Sequence, residues 1–203
     1  MQVSVGVLAG GLSRRMGRDK ALLPIGGVPA VQRVLERAST LSDDVILVTN
    51  SPDKYDFCPH CRLAGDIFPG KGSLGGIYTA LVTADHAHCL VVACDMPFLS
   101  VKLLRHLISL AAGYDVVVPR VAGTLETTHA VYSKACLEPI RQHLLQNDLR
   151  IRSFFDEVRL FVVDQVEVMR YDADLRSFLN MNTPSDWQRL QQLAAAEQDQ
   201  VSG

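Results

Sequence analysis

The sequence predicts a doubly wound α/β fold, in which a mainly parallel sheet is covered on both faces by helices to give three layers. Its apolar runs are short, rich in valine and unalternating, as strands buried on both faces require. Between them lie stretches of helical periodicity, spaced as right-handed crossover connections need. At 203 residues, 48% hydrophobic and 21% charged, the chain fits one domain (1–203) with a full-sized core.

In chain order, Val3 to Leu8 reads as the first core strand, and Ala30 to Leu41 as the first helix. Val45 to Thr49 is the second strand, Leu74 to Ala84 the next helix, and Cys89 to Ala93 the third strand. Ser100 to Ala112 is helical, with Ser100 a natural cap, and Asp115 to Pro119 is again a strand. Thr128 to Tyr132 fits an antiparallel addition, Ser133 to Leu145 a helix, and Val158 to Val163 an edge strand. A last helix is expected from Pro184 to Ala195, with proline in its favoured first turn and a polar tail fraying after Glu197.

The formal net charge of -2 provides no global attraction for nucleic acid or an anionic membrane surface, so neither is an expected partner. No apolar run nears the roughly 18 residues of a membrane span. The N-terminus lacks a basic start and reads as a strand, not a signal peptide. Five cysteines, an odd number, point to a reducing cytoplasm.

Anion binding must then be local, and one segment supplies it. Leu8, Ala9, Gly10 and Gly11 follow directly on the first strand, at the carboxyl end where parallel sheets bind ligands. Gly10 and Gly11 let the backbone turn its N–H groups onto phosphate oxygens. Arg14, Arg15, Arg18 and Lys20 put four cations within seven residues, facing one carboxylate, Asp19. Such a cluster neutralises a triphosphate and the charge growing on a leaving pyrophosphate. The dinucleotide fingerprint GxGxxG is absent here, and the P-loop pattern fails because Gly70-Lys71 is followed by Gly72.

Asp95 follows the Cys89 to Ala93 strand, again at a carboxyl end, where a carboxylate can hold Mg2+; the plain alternative is a cap for the helix near Ser100. Asp19 fits a surface pair with Lys20 or Arg15. Asn180 and Asn182 alternate with Leu179 and Met181, so in an extended chain both amides face one side. Thr183 and Pro184 open the last helix. Asn50 ends the second strand and suits either base reading or a turn. Cys58-Pro59-His60-Cys61 lacks a second ligand pair for zinc and reads as a surface loop.

LAGGLSRRMGRDKALL resembles the opening of the molybdenum cofactor guanylyltransferase (MobA) family of Rossmann-like nucleotidyltransferases. Four stretches match in order: Gly65-Asp66, Gly72 to Gly76, Cys94 to Pro97, and Asn180 to Pro184. His129 to Ser133 resembles the family's acceptor-side strand, although Thr127-Thr128 stand where the family has Pro-Leu. The resemblance implies Mg2+-dependent transfer of GMP from GTP to molybdopterin carrying molybdenum. Asp95 would be the metal ligand, with Arg15 and Lys20 catalytic and Lys20 on the phosphates. Leu8, Ala9, Gly10, Gly11, Arg14, Asn50, Asp66, Asn180 and Asn182 would contact substrate. Contacts with other cofactor-biosynthesis proteins or with molybdoenzymes are also implied. Gly10 favours guanine, since cytidylyl relatives carry alanine there. A cytidylyl or sugar-phosphate nucleotidyltransferase and a non-catalytic GTP-binding delivery module are the rival readings.

Overall fold

A computed structural model describes residues 1–10, 19–55 and 61–201, with side chains to residue 197. Strand β1 (Ser4–Leu8) lies at the centre of the sheet because both its faces are covered by apolar side chains. It pairs in parallel with β4 (Val45–Val48) on one side and β6 (His88–Ala93) on the other. A third parallel strand, β5 (Arg62–Ala64), edges β4. Beyond β6 comes β9 (His129–Ser133), antiparallel to β6 and to β7 (Val116–Val121). The sheet ends on β10 (Leu160–Val163), parallel to β7. The order is therefore β10-β7-β9-β6-β1-β4-β5, mainly parallel with one reversed strand.

Helices α1 (Ala30–Ala38) and α3 (Val101–Leu110) pack on one face through Val31, Val34, Leu35, Leu103, Leu104 and Leu107. On the other face α2 (Gly72–Thr83) and α4 (Leu137–Leu145) bury Leu74, Ile77, Leu81, Ile140 and Leu144. These are the three expected layers.

The differences in boundary have local causes. Helix α1 stops at Ala38, short of Leu41, where Ser39 Oγ donates to the Leu35 carbonyl (2.8 Å) and Thr40 Oγ1 to that of Arg37 (2.7 Å). These hydroxyls compete with the helix for its own acceptors. Helix α2 starts at Gly72, before the expected Leu74, so three glycines that read as a turn lie inside it. The packing explains two of them: a Cβ on Gly76 would sit 3.2 Å from Leu8 Cδ2, and one on Gly75 3.0 Å from the Phe68 carbonyl. Helix α4 starts only at Leu137, because Ser133 belongs to β9 and caps a short 3-10 turn through Ala135 N. Strand β7 runs on past Pro119 into a hairpin with β8 (Thr124–Leu125), turning at Ala122 and Gly123, whose φ angles of 48° and 79° fit the mirror-image hairpin turn.

Strand β5, a hairpin after the first loop and a short helix after β10 were not expected. The hairpin, β2 (Pro24–Ile25) with β3 (Val28–Pro29), turns on Gly26 and Gly27 at φ 58° and 81°. The final helix, α6 (Pro184–Val201), continues beyond Ala195 and clamps that hairpin. Trp187 Nε1 and Gln191 Nε2 donate to the Pro24 carbonyl (2.9 and 3.0 Å), and Gly26 N donates to Gln191 Oε1 (2.8 Å). Ile25, Ala30, Phe98, Met181, Leu190 and Ala194 form the small core beneath it. A short helix, α5 (Gln165–Val168), follows β10. Among the described residues no helix is long and apolar enough to cross a membrane.

Candidate functional site

The carboxyl ends of β1, β4, β5 and β6 come together at one edge of the sheet. Leu8, Ala9 and Gly10 leave β1, with Ala9 N bonded to the Val48 carbonyl (2.9 Å) and Cys94 N to that of Leu8 (3.1 Å). Thr49 and Asn50 leave β4, Gly65 and Asp66 leave β5, and Cys94 and Asp95 leave β6. The parallel register thus converts positions distant in sequence into one cleft edge.

On its β5 side, Asn50 and Asp66 are locked together. Asn50 Nδ2 donates to Asp66 Oδ2 (2.9 Å) and Asp66 N donates to Asn50 Oδ1 (2.9 Å). Asn50 therefore holds Asp66 in place, a role between the two readings the sequence allowed. The other carboxylate oxygen, Asp66 Oδ1, is buried and has no hydrogen-bond partner among the described residues. Gly10 stands against this pair, with a Cβ built on it 3.6 Å from Asp66 Oδ2.

On the β6 side stands Asp95. Burial raises its pKa, and the nearby Lys20 charge opposes that rise. Ser100, not Asp95, caps α3, with its Oγ accepting from Leu103 N (3.2 Å). The helix-cap alternative for Asp95 therefore falls. The Met181 amide donates to the Asp95 carbonyl (3.0 Å), which lays the Asn180–Asn182 segment alongside it. The segment is not a strand, but the expected alternation survives in extended backbone. Met181 is fully buried, while Asn180 is half-buried and Asn182 exposed. Lys20 Nζ donates to Asn182 Oδ1 (2.8 Å), so the first and last motifs meet. Asn182 is fixed from behind by a capping arrangement at the start of α6. The Asp186 carboxylate accepts from the amides of Asn182 (3.0 Å) and Thr183 (2.8 Å), and Thr183 Oγ1 accepts from Asp186 N (3.1 Å).

Asp19 departs from expectation. It pairs with Lys54 (2.9 Å), a partner the sequence did not suggest, and its side chain also accepts from Ala21 N (3.3 Å) at the short 3-10 turn that carries Lys20. The lysine arrives from a segment between β4 and β5, beyond the reach of local sequence reasoning. Gly11, Arg14, Arg15 and Arg18 lie outside the described residues, as do Cys58 and His60. Cys61 is half-buried and packs on the core beside α1. Cys89 is fully buried, and burial pushes its thiol up to about 12. His106 and His143 bond to Glu167 (2.6 Å) and Glu157 (2.8 Å), away from the motifs above. Asp186, absent from the expected site, could have been found from Thr183-x-x-Asp186, the spacing of a capping box.

Strand ends bearing a glycine-flanked carboxylate, a second half-buried carboxylate and a lysine bound to an asparagine fit a nucleotidyltransferase of the doubly wound α/β kind. Residues 5–163 match the MobA-like NTP transferase domain, and the chain belongs to that family. It is 39% identical over 92% of its length, and 90% of the relative's, to a protein of Pelotomaculum thermopropionicum named a probable molybdenum cofactor guanylyltransferase. It is 35% identical to the molybdenum cofactor guanylyltransferase of Desulfosudis oleivorans, over 90% of this chain and 91% of that one. Among solved structures, molybdopterin-guanine dinucleotide biosynthesis protein A of Archaeoglobus fulgidus superposes with a TM-score of 0.85 at 27% identity, covering 96% of this chain and all of the other. A cytidylyltransferase of Thermus thermophilus shares the fold alone, with a TM-score of 0.73 at 17% identity. The chain is thus an enzyme, a nucleotidyltransferase.

Proposed function

We propose that the chain transfers GMP from GTP to molybdenum-carrying molybdopterin, releasing pyrophosphate and forming the guanine dinucleotide form of the molybdenum cofactor. The relatives' names support the role in cofactor synthesis. The observation that carries the choice of base is Asp66, whose carboxylate faces Gly10 and whose Oδ1 is buried without a hydrogen-bond partner among the described residues. Guanine presents two adjacent donors, its ring N1–H and 2-amino group, which a fixed carboxylate accepts. Cytosine would turn its N3 acceptor towards the same oxygen. A buried acceptor left unsatisfied costs about 1–3 kcal/mol, which the correct base recovers.

In this reading the acceptor phosphate attacks the α-phosphorus in line, and the protein acts by positioning and by neutralising charge. Lys20, with Arg14 and Arg15 of the same loop, neutralises the triphosphate and the departing pyrophosphate. Asn182, fixed by Lys20 and Asp186, and Asn180 orient the acceptor. Asp95 suits Mg2+, because a half-buried carboxylate at a strand end, with its pKa raised by partial loss of water, gains from a hard cation. When bound, Mg2+ would add positive charge at the phosphates. One carboxylate is enough for an ion that keeps waters and takes its other ligands from phosphate. A cytoplasmic location belongs to the same reading and is supported by the odd number of cysteines in the sequence.

The test incubates the protein with each NTP and molybdenum-loaded molybdopterin and follows pyrophosphate. GTP is expected to turn over, and turnover with CTP alone would sink the assignment. Asp95→Ala is expected to lower kcat roughly 10²–10³-fold, the size of losing one well-placed charge stabiliser. GTP binding without turnover, unchanged in Asp95→Ala, would point instead to a delivery module.

A further inference from the structure

Lys20 stands on a short 3-10 turn, Lys20–Leu22, that is tied to the hairpin following it. The Lys20 carbonyl accepts from Leu23 N (3.2 Å), and the Leu23 carbonyl accepts from Ala30 N (3.0 Å) where the hairpin closes. The backbone of the lysine therefore goes wherever the β2–β3 hairpin is held.

That hairpin has little to hold itself with. Its strands are two residues each, and Pro24 stands opposite Pro29. Neither proline has an N–H, so this pair adds no hydrogen bond to the ladder. A two-stranded hairpin is marginal in water even with a full ladder. The frame comes from α6, and one side chain supplies both halves of the contact. Gln191 Nε2 donates to the Pro24 carbonyl (3.0 Å), and Gln191 Oε1 accepts from Gly26 N (2.8 Å). An amide with a donor and an acceptor thus does the work of a neighbouring strand. Trp187 Nε1 adds a second donor to the Pro24 carbonyl (2.9 Å). Leu190 and Ala194 anchor α6 independently of Gln191, in the small core with Ile25 and Ala30.

The same region of α6 also meets the lysine at its other end. Asn182, just ahead of the helix, accepts from Lys20 Nζ (2.8 Å). Lysine carries its charge on a flexible four-carbon stem, so the ammonium is placed only as well as its two ends are held. Here the side-chain end is held by Asn182 and the backbone end by the clasp on the hairpin.

We propose that Gln191 is a positioning residue for Lys20, fixing the hairpin from which the lysine is presented to the polyphosphate of the nucleotide. The proposal deepens the reading above and rests on Lys20 meeting the triphosphate, but not on the identity of the base. A displacement of a charged group by an ångström is enough to weaken what it binds.

The probe is inorganic tripolyphosphate, titrated calorimetrically into the full chain. It carries no base, so the outcome is separate from that of the GTP assay. Gln191→Leu keeps a good helix former and makes neither bond. It is expected to weaken tripolyphosphate binding roughly 3–10-fold, the scale of two neutral hydrogen bonds partly transmitted. Lys20→Met leaves Arg14, Arg15 and Arg18 in the loop, so binding remains measurable. Adding Gln191→Leu to Lys20→Met is expected to cost nothing further, because the glutamine acts through the lysine. Trp187→Phe, which removes the other donor to Pro24 and keeps an aromatic ring, is expected to show a smaller loss with the same dependence on Lys20. A folded Gln191→Leu that binds as native protein, or one whose loss is as large with Lys20→Met as without it, overturns the proposal.

Discussion

At the scale of single residues, the proposed base site rests on one carboxylate that Asn50 holds through Oδ2 and whose Oδ1 is buried without a hydrogen-bond partner among the described residues. Asp66→Asn tests that geometry. The new side chain can still accept from Asn50 through its oxygen, but its amide then turns a donor towards the donors of guanine. GTP affinity is expected to fall about tenfold or more, with the melting temperature little changed, as calorimetric titration and thermal melts would record. Gly10→Ala probes the neighbouring space. Its Cβ would meet Asp66 Oδ2 at 3.6 Å, an ordinary contact, so the fold should tolerate it. The added methyl should nevertheless narrow the base site, raising the KM for GTP more than it lowers kcat. A rise in KM equal for GTP and CTP would contradict a base-specific role.

At the scale of elements, the site depends on how closely α2 lies against β1. Gly6 is fully covered, and a Cβ there would come within 2.7 Å of Ala80 Cβ, too near for either backbone to stay in place. Gly6→Ala is expected to destabilise the protein by about 1–3 kcal/mol, read from the midpoint of urea unfolding. A neutral effect would mean that α2 can slide away without loss. The C-terminal helix does comparable work from the other side. Through Trp187, Gln191 and an ion pair between Arg33 and Glu197 (2.9 Å), α6 holds the β2–β3 hairpin and α1, and its capped start presents Asn182 to Lys20.

At the scale of the whole molecule, acid should unfold the protein in two stages. His129 is neutral in the fold, with its pKa lowered to about 3 by burial, whereas in the unfolded chain it titrates near 6.5. The unfolded state therefore takes up a proton that the folded state refuses, and stability falls as pH drops from about 6.5 towards 3. Two carboxylates add to this at lower pH. Arg159 hydrogen bonds hold Asp115 well below the usual range. At Asp44 burial works against ionisation, but bonds from Ser4, the Asp85 amide and Arg62 outweigh it and lower the pKa. Their contribution is present above about pH 4 and is lost as pH falls towards their folded values. Urea midpoints between pH 7.5 and 5 should decline in the native protein and stay nearly flat in His129→Leu; parallel declines would remove His129 from the account.

The sequence by itself determined the class of fold and nominated the residues of the candidate site. Unalternating valine runs can only be strands covered twice, and strand ends followed by glycine, aspartate or asparagine mark where a parallel sheet binds ligands. Even the reversed strand was legible in the run from Thr128 to Tyr132. The hairpins at Gly26-Gly27 and Ala122-Gly123 were not read, because each includes a strand of only two residues, too short to show a period. What only the tertiary structure decided is which groups meet. Asp19 chose Lys54, Asn50 became the holder of Asp66, Lys20 reached Asn182 across 162 positions, and His129 was left buried with no hydrogen-bond partner for its ring among the described residues. Periodicity reports the face on which a side chain lies, because that depends on its own backbone. Pairing depends on register and on helices packed from elsewhere in the chain, and no local pattern encodes them.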